Sequence, residues 1–588
     1  MFRRAAGAGL LPGLVVSAVL IAAYFPLMRP VQLGPITLVC DSFNVGCGAP
    51  TVRSVSPDFG PFSGGNTVTI TGTNFNTSPI SVAFGSPPSG PFATGITVIS
   101  DTQLTAIVPN AIGTFDVMVI TSRGTSATSP ADQFTFLQPT NSGCTTQQYT
   151  LTGSDGATWR TIDAARVSIA AAPSVDSYWI LTGNADLWTS SIGYNQDLGI
   201  TVFGGTSPGY PTTAGQPEAW KESGGSGGTY SPNAAAVQTV IPVKAGQTYA
   251  AALQWKANGP DPGTIWAGAG GVGDFSQTCI IGQLVPQAPA TVVSKASTAQ
   301  YSLTSSDGST WKDMDATNLT LSIVAPADGV IVLGGNADLW TARAGINQDI
   351  AINVNGSVNA WKESGGSAGT FSPNAAFVQA VIPAASGTTY TAKLQWKAQQ
   401  PNSGSIYAGA GPVGGRFSQT RLTAQFYTTA QQALDKVSTS QYSFANIPIR
   451  TMWVAIDPIN FSHSITTAVT CDVIISANVD LWSTSTPIPP WGTNGRFNLD
   501  IGIVVLDTSV PYLPIVAPVG WKESGAGNGT FSPNAAYEVI RVQLYANRPY
   551  LVYLVWKANA MTGGTLYAGA GPLAGAYSPT RLTVQPTC

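Results

Sequence analysis

The sequence predicts an all-β chain built from tandem sandwich modules, and three observations predict it. First, short runs in which apolar and Thr/Ser residues alternate recur along the chain, the period-2 signature of half-buried strands. Second, charged residues make up only 9% of the 588 positions. Gly, Pro, Ser, Thr and Asn carry the polarity instead, as expected of many strands joined by turns. Third, most of the chain is one pattern written three times, and no amphipathic helical stretch interrupts it. At about 150 residues per domain the length suggests four units.

The first 28 residues differ from the rest. MFRR precedes an apolar run, Ala5–Met28, broken only by Pro12, Gly13 and Pro26. Arg3 and Arg4 before such a run direct the remainder of the chain across a membrane. About 20 apolar residues suffice to span a bilayer, so a signal peptide and an uncleaved anchor both fit. Residues 31–49 then read as a linker holding Cys40 and Cys47.

Residues 50–138 form the first module. Val68 and Ile70 alternate with Thr67, Thr69 and Thr71, and Pro57, Gly60, Pro61, Gly64 and Gly65 supply turn chemistry just before them. Strands follow at 80–85, 101–109, 113–124 and 134–136. The ordered set Pro57, Gly60, Pro61, Gly64, Gly65, VTITGTNF, Phe84-Gly85 and Val108-Pro109 resembles the IPT/TIG family of immunoglobulin-like domains. The resemblance implies a β-sandwich that spaces or adheres in extracellular proteins, and it implies no catalysis.

Three copies of a larger unit, residues 144–287, 295–428 and 436–588, complete the chain. Each opens on a Tyr-containing strand (QYTLT, QYSLT, QYSFA). Each continues through NADLW or NVDLW, a WKES block ending in SPNAA, LQWKA or LVWKA, and a final AGAG segment. Many short strands in about 140 residues suggest a sandwich or jelly roll. Modules of this kind are expected to fold on separate cores and to stack in series.

Aligning the copies pairs the cysteines. Cys144 and Cys279 occur only in the first copy, where the second has Ala296 and Arg421 and the third Val437 and Arg581. Cys471 and Cys588 occur only in the third. Residues gained together in one copy are expected to be partners, which gives Cys144–Cys279 and Cys471–Cys588 and leaves Cys40–Cys47 as a local loop. The alternative is six unpaired buried thiols. Disulfides imply an oxidising compartment, hence an extracellular or cell-surface location, with a virion surface also compatible.

Chemistry has few places to reside. The only histidine, His463, occurs in one copy and reads as an exposed strand or loop residue, so a histidine-dependent triad is excluded. Histidine scarcity and the lack of any CxxC leave little for zinc, copper or iron. A net charge of −3 without a basic cluster gives no footprint for nucleic acid. The Gly-rich stretch after Glu222 follows no strand-to-helix pattern and reads as a turn rather than a phosphate cradle. Repeated carboxylates remain: Asp163/Asp315/Asp457, Asp186/Asp338/Asp480, Asp197/Asp349/Asp500 and Glu222/Glu363/Glu523. A threefold active site with its glutamate always beside a lysine (Lys221, Lys362, Lys522) is an unusual enzyme, and a Lys–Glu pair or turn cap is the structural reading. No enzyme is expected. Calcium is the one candidate cofactor, with Asp186, Asp197, Asp338, Asp349, Asp480 and Asp500 as ligands in oxygen-rich loops, against Asx-turn hydrogen bonding.

Aromatics are the most repetitive feature. Twelve of the 15 tryptophans lie at four positions per copy, Trp159/311/453, Trp188/340/482, Trp220/361/521 and Trp255/396/556. Trp255, between Leu253 and Ala257, reads as core. Trp220, Trp361 and Trp521, with Trp266, Tyr407 and Tyr567, are the candidates for stacking on sugar rings. Two functions therefore follow: a structural or adhesive surface protein (rod, filament subunit or appendage) that pairs with itself or other surface proteins, or a multivalent carbohydrate-binding protein with one aromatic site per copy.

Overall fold

The computed structural model describes residues 48–587 apart from several loops, the longest being 225–232, 365–373, 446–451, 484–497, 511–516, 526–533 and 559–564. The N-terminal segment, Cys40, Cys47, Cys588 and the Gly-rich loop after Gly224 therefore lie outside the described residues. Among the described residues there is no α-helix, and no helix is long and apolar enough to cross a membrane.

Alternation builds the first module as expected. Val68 and Ile70 of the strand Thr67–Thr73 point into a core with Phe75, Phe84, Val117, Val119, Phe134 and Phe136, all fully buried. Two sheets enclose that core. One orders Thr51–Ser56, Thr67–Thr73, Gln103–Ile107 and Thr94–Ser100, and the other contains Phe59–Pro61, Gln133–Leu137, Gly113–Thr121 and Ile80–Phe84. Phe84 meets Phe134 and Phe136 edge-on at 5.3 and 5.5 Å, the favoured geometry for aromatic pairs. Gly64 has φ +66, and a Cβ there would come within 2.2 Å of the Pro109 carbonyl oxygen, so the turn admits no side chain.

Each repeat is a two-sheet sandwich of the same topology. In the first, one sheet orders Thr140–Thr145, Thr278–Pro286, Ser177–Thr189, Pro260–Ala267 and Tyr149–Asp155, and Asn233–Val243 also pairs with Ser177–Thr189. The other orders Arg160–Thr161, Tyr249–Ala257, Asn195–Gly204 and Ala219–Gly224, with Ser168–Ala171 on Tyr249–Ala257. Leu253, Trp255 and Ala257 face the core between the sheets, as read from the sequence. The first repeat starts at Thr140, so only residues 138–139 separate it from the last strand of the preceding module.

Cys144 and Cys279 stand directly opposite each other on the first and last strands and are joined in a disulfide. The same register puts Ala296 opposite Arg421 and Val437 opposite Arg581 in the other repeats. Cys471 is also disulfide-bonded.

The repeats do not stand in series. They close on one another around a common axis, each touching the next and the third touching the first. Ala236 and Ile281 of the first repeat, Phe377 of the second, and Ile474, Tyr537 and Val539 of the third form one apolar cluster there. Phe377 stacks on Tyr537 with ring centroids 3.9 Å apart. The physical cause lies in edge strands. Asn233–Val243, Asn374–Ala384 and Asn534–Leu544 each pair on one side only, and such an edge must be covered.

Candidate functional site

The covering group is an asparagine from NADLW. Asn336 Nδ2 donates to the Ala236 carbonyl of the first repeat at 3.0 Å, and its Oδ1 accepts the Gln238 N–H at 3.3 Å. The side-chain amide thus mimics a partner strand. Asn478 does the same to the second repeat, with Phe377 O at 2.9 Å and Gln379 N at 3.0 Å. Asn184 donates to Tyr537 O of the third repeat at 3.0 Å, while its Oδ1 is buried without a partner. Each amide also bonds within its own repeat, to Ala235, Ala376 or Ala536. Sequence reading passed over these asparagines in favour of the neighbouring aspartates. The signal was there: an uncharged amide kept at one position in all three copies of a mostly apolar strand.

The aspartates of the same motif cross the same seams, each to the repeat its asparagine reaches. Asp338 Oδ2 accepts the Glu222 backbone N–H at 3.1 Å, Asp480 that of Glu363 at 3.1 Å, and Asp186 that of Glu523 at 2.9 Å. The three are fully buried, and that burial raises their carboxyls, offset by Lys221, Lys362 or Lys522 of the adjoining repeat. Those lysines donate to the carbonyls of Gln419, Pro579 and Gln277. Burial pushes Lys221 and Lys362 down to about 8. Successive residues of a strand face opposite sides, so Lys221 and Glu222 do not pair as the sequence suggested. The lysine crosses the seam, and Glu222, on the sheet face away from the sandwich core, accepts from Asn195 Nδ2 at 2.5 Å and Asn258 Nδ2 at 3.2 Å of its own repeat.

Within each repeat a second charged row lies under the seam. Asp197 is flanked in register by Lys256 on one neighbouring strand and Glu222 on the other. Lys397, Asp349 and Glu363 repeat the row, as do Lys557, Asp500 and Glu523. Lys256 pairs with Asp197, Lys397 with Asp349, and Lys557 with Asp500 at 3.4 Å. A tryptophan covers each ammonium, Trp159 at 5.2 Å, Trp311 at 5.1 Å and Trp453 at 4.7 Å from the ring centroid. Burial raises Asp197, Asp349 and Asp500, and it raises Glu222 and Glu363, with the neighbouring Asp197 or Asp349 adding to the effect.

The six aspartates expected as calcium ligands each have a partner from the protein itself. Asp186, Asp338 and Asp480 are engaged by backbone N–H groups, and Asp197, Asp349 and Asp500 by lysines. Among the described residues no three His, Cys, Asp or Glu side chains form a metal-binding group. Asp163, Asp315 and Asp457 cap turns, each accepting backbone N–H groups two and three residues on, the Asx chemistry weighed against calcium. His463 is buried, not exposed, beside the Leu582 carbonyl, and burial lowers its pKa.

The aromatic candidates separate into two groups. Trp220, Trp361 and Trp521 are only 3%, 6% and 6% exposed, so they offer no face to a sugar ring. Their position in the seams is the reason: Trp220 packs on Gly411 of the second repeat and Trp361 on Gly571 of the third, where a Cβ would lie 2.9 and 3.1 Å from the rings. Trp266, Tyr407 and Tyr567 are half-buried. Each stacks on a tryptophan of the NADLW motif with centroids 4.1 Å apart, on Trp188, Trp340 and Trp482 respectively. A cleft of about 360 Å³ at the seam of the first two repeats is lined by Glu222, Asn258, Trp340 and the segment Ala410–Val413.

The IPT/TIG domain model matches residues 50–136, the segment whose paired sheets and Gly64 turn are described above. That segment is an IPT/TIG domain. No curated protein matches the chain. Solved structures with some likeness include a structural-genomics protein of unknown function from Bacteroides thetaiotaomicron, at 20% identity and TM-score 0.14. The match covers 22% of this chain and spans 32% of that protein's length. A protein crystallised with a xylogluco-oligosaccharide shares 12% identity over 64% of this chain and 78% of its own, at TM-score 0.14. The VP2 subviral particle of infectious bursal disease virus shares 12% identity over 76% and 82%, at TM-score 0.16. At such scores these likenesses carry no argument, and the IPT/TIG domain and the repeats stand on their own geometry.

Proposed function

We propose that this is an extracellular structural or adhesive surface protein, in which the IPT/TIG domain adjoins a threefold head made by one chain. The observation that supports it most is the closed ring. The repeated asparagines and aspartates of the NADLW and NVDLW motifs, with Trp220 and Trp361, hold one repeat against the next, which supports construction rather than catalysis. The IPT/TIG domain and the disulfide at Cys144–Cys279 fit an oxidising exterior. Partners are then other surface proteins or further copies of the chain, engaged through an outer surface presented three times. Electron microscopy of the producing cells with antibody against the head tests the reading. Surface labelling as projections is the expected result, and labelling confined to the cell interior overturns it.

One observation favours a second reading. The stacked pairs Trp188/Trp266, Trp340/Tyr407 and Trp482/Tyr567 retain a partly exposed ring, and Trp340 borders the seam cleft. A glycan bound there would meet three equivalent sites, so weak single-site affinity would be raised by multivalency. A glycan array with the full chain, repeated with Tyr407→Ala, checks it.

A further inference from the structure

We propose that the row of lysine, aspartate and glutamate in each repeat is a self-modifying site that condenses Lys256 with Asp197, Lys397 with Asp349 and Lys557 with Asp500 into internal amide cross-links. The inference rests on placement and does not depend on which partner the head engages.

Register brings the reactants together. Asp197 stands directly opposite Lys256 on one antiparallel neighbour and opposite Glu222 on the other, so the three side chains share one face of the sheet. Directly opposed residues have Cβ atoms about 4.5–5.5 Å apart, within side-chain reach. Nζ of Lys256 already touches the Asp197 carboxyl, and the two side chains are 0% and 0% exposed. Lys397 and Asp349 are 1% and 3% exposed. Such a fixed approach replaces a bimolecular encounter and excludes the water that would reverse the condensation. One oxygen of each aspartate, Oδ1 of Asp197, Asp349 and Asp500, is buried with no partner. A buried carboxylate with an orphaned oxygen is costly, whereas an amide has one oxygen fewer to satisfy and no charge to desolvate. Three such sites in one chain, each walled by a tryptophan, argue for a common purpose beyond charge pairing.

The step balances without an oxidant or cofactor. Within the pair the ammonium passes a proton to the carboxylate, leaving an amine and a carboxylic acid. Nζ of Lys256 attacks Cγ of Asp197, a C–N bond forms and a C–O bond breaks, and the hydroxyl leaves as water. Glu222, held by Asn195 and Asn258, supplies the proton to the departing hydroxyl and takes one back from the nitrogen. Burial keeps the Glu222 carboxyl protonated to higher pH than usual, as this role requires. Glu363, held by Asn347 at 2.6 Å, is placed for the same role in the second repeat.

The test is mass spectrometry on the full chain with its disulfides reduced. Expected are tryptic fragments in which the peptides around Asp197 and Lys256 travel as one branched species, lighter than their sum by one water, and likewise for the other two pairs. After denaturation Lys256, Lys397 and Lys557 should resist an amine-acylating reagent that labels every other lysine. Glu222→Gln should restore the linear peptides in the first repeat only, with folding checked by circular dichroism. Linear peptides at all three sites in the unsubstituted protein, with all three lysines labelled, would overturn the proposal whatever the variant does.

Discussion

Replacing Asn336 by alanine tests whether the head is one closed unit. Asn336 is 1% exposed and makes three bonds, to Ala236 O and from Gln238 N across the seam and to Ala376 O within its own strand pair. Each buried hydrogen bond contributes about 0.5–1.5 kcal/mol net, so the loss of three should be about 1.5–4.5 kcal/mol. Orphaning the Ala236 carbonyl and the Gln238 N–H moves the result toward the upper end. Asn184→Ala removes two bonds, since its Oδ1 has no partner, and should cost about 1–3 kcal/mol. Urea denaturation of the full chain, followed by tryptophan fluorescence and by circular dichroism, reads both. In a closed ring the two probes shift together, because loosening one seam exposes the edges of its neighbours. Three separate transitions, of which Asn336→Ala moves only one, would refute the closed-ring argument, as would a loss below about 0.5 kcal/mol.

The remaining predictions concern other parts of the molecule. Glu538 occupies the place of Val237 and Val378, buried with both carboxyl oxygens unpartnered and its pKa raised by desolvation, with Lys522 and Asp186 facing it. A raised carboxyl binds its proton more tightly in the folded state, so stability should fall as pH rises above the ordinary glutamate value of 4.5. Glu538→Gln should flatten that fall in a thermal-shift series, and Glu538→Val should stabilise by about 1–4 kcal/mol. Trp220→Ala should cost about 3–5 kcal/mol by opening a cavity between the first two repeats, while leaving any glycan binding that survives folding unchanged. Replacing Cys144 and Cys279 by alanine opens a loop of 135 residues, worth about 4–5 kcal/mol in the chain-entropy model, and denaturation under oxidising conditions measures it. Gly64→Ala should destabilise the IPT/TIG domain by at least about 1 kcal/mol, since φ is +66 and the Pro109 carbonyl blocks the side chain, with no effect on the transition of the head.

What the sequence determined by itself was local or repeated. Period-2 alternation placed Val68 and Ile70 in one core and Trp255 in another, because the pleat permits only two directions per residue. Comparison of copies paired Cys144 with Cys279, because a disulfide needs both of its cysteines in the same copy. What tertiary structure decided was the destination of every side chain lying between repeats. Trp220 and Asp186 look alike in a linear reading whether they face solvent, a sugar, a metal ion or another repeat, since all four demand a large aromatic or an oxygen donor at the end of a strand. Three copies of one pattern suggest a row as readily as a ring. The choice falls to the unpaired edges of Asn233–Val243, Asn374–Ala384 and Asn534–Leu544, which a row leaves open at one end and a ring covers with Asn184, Asn336 and Asn478.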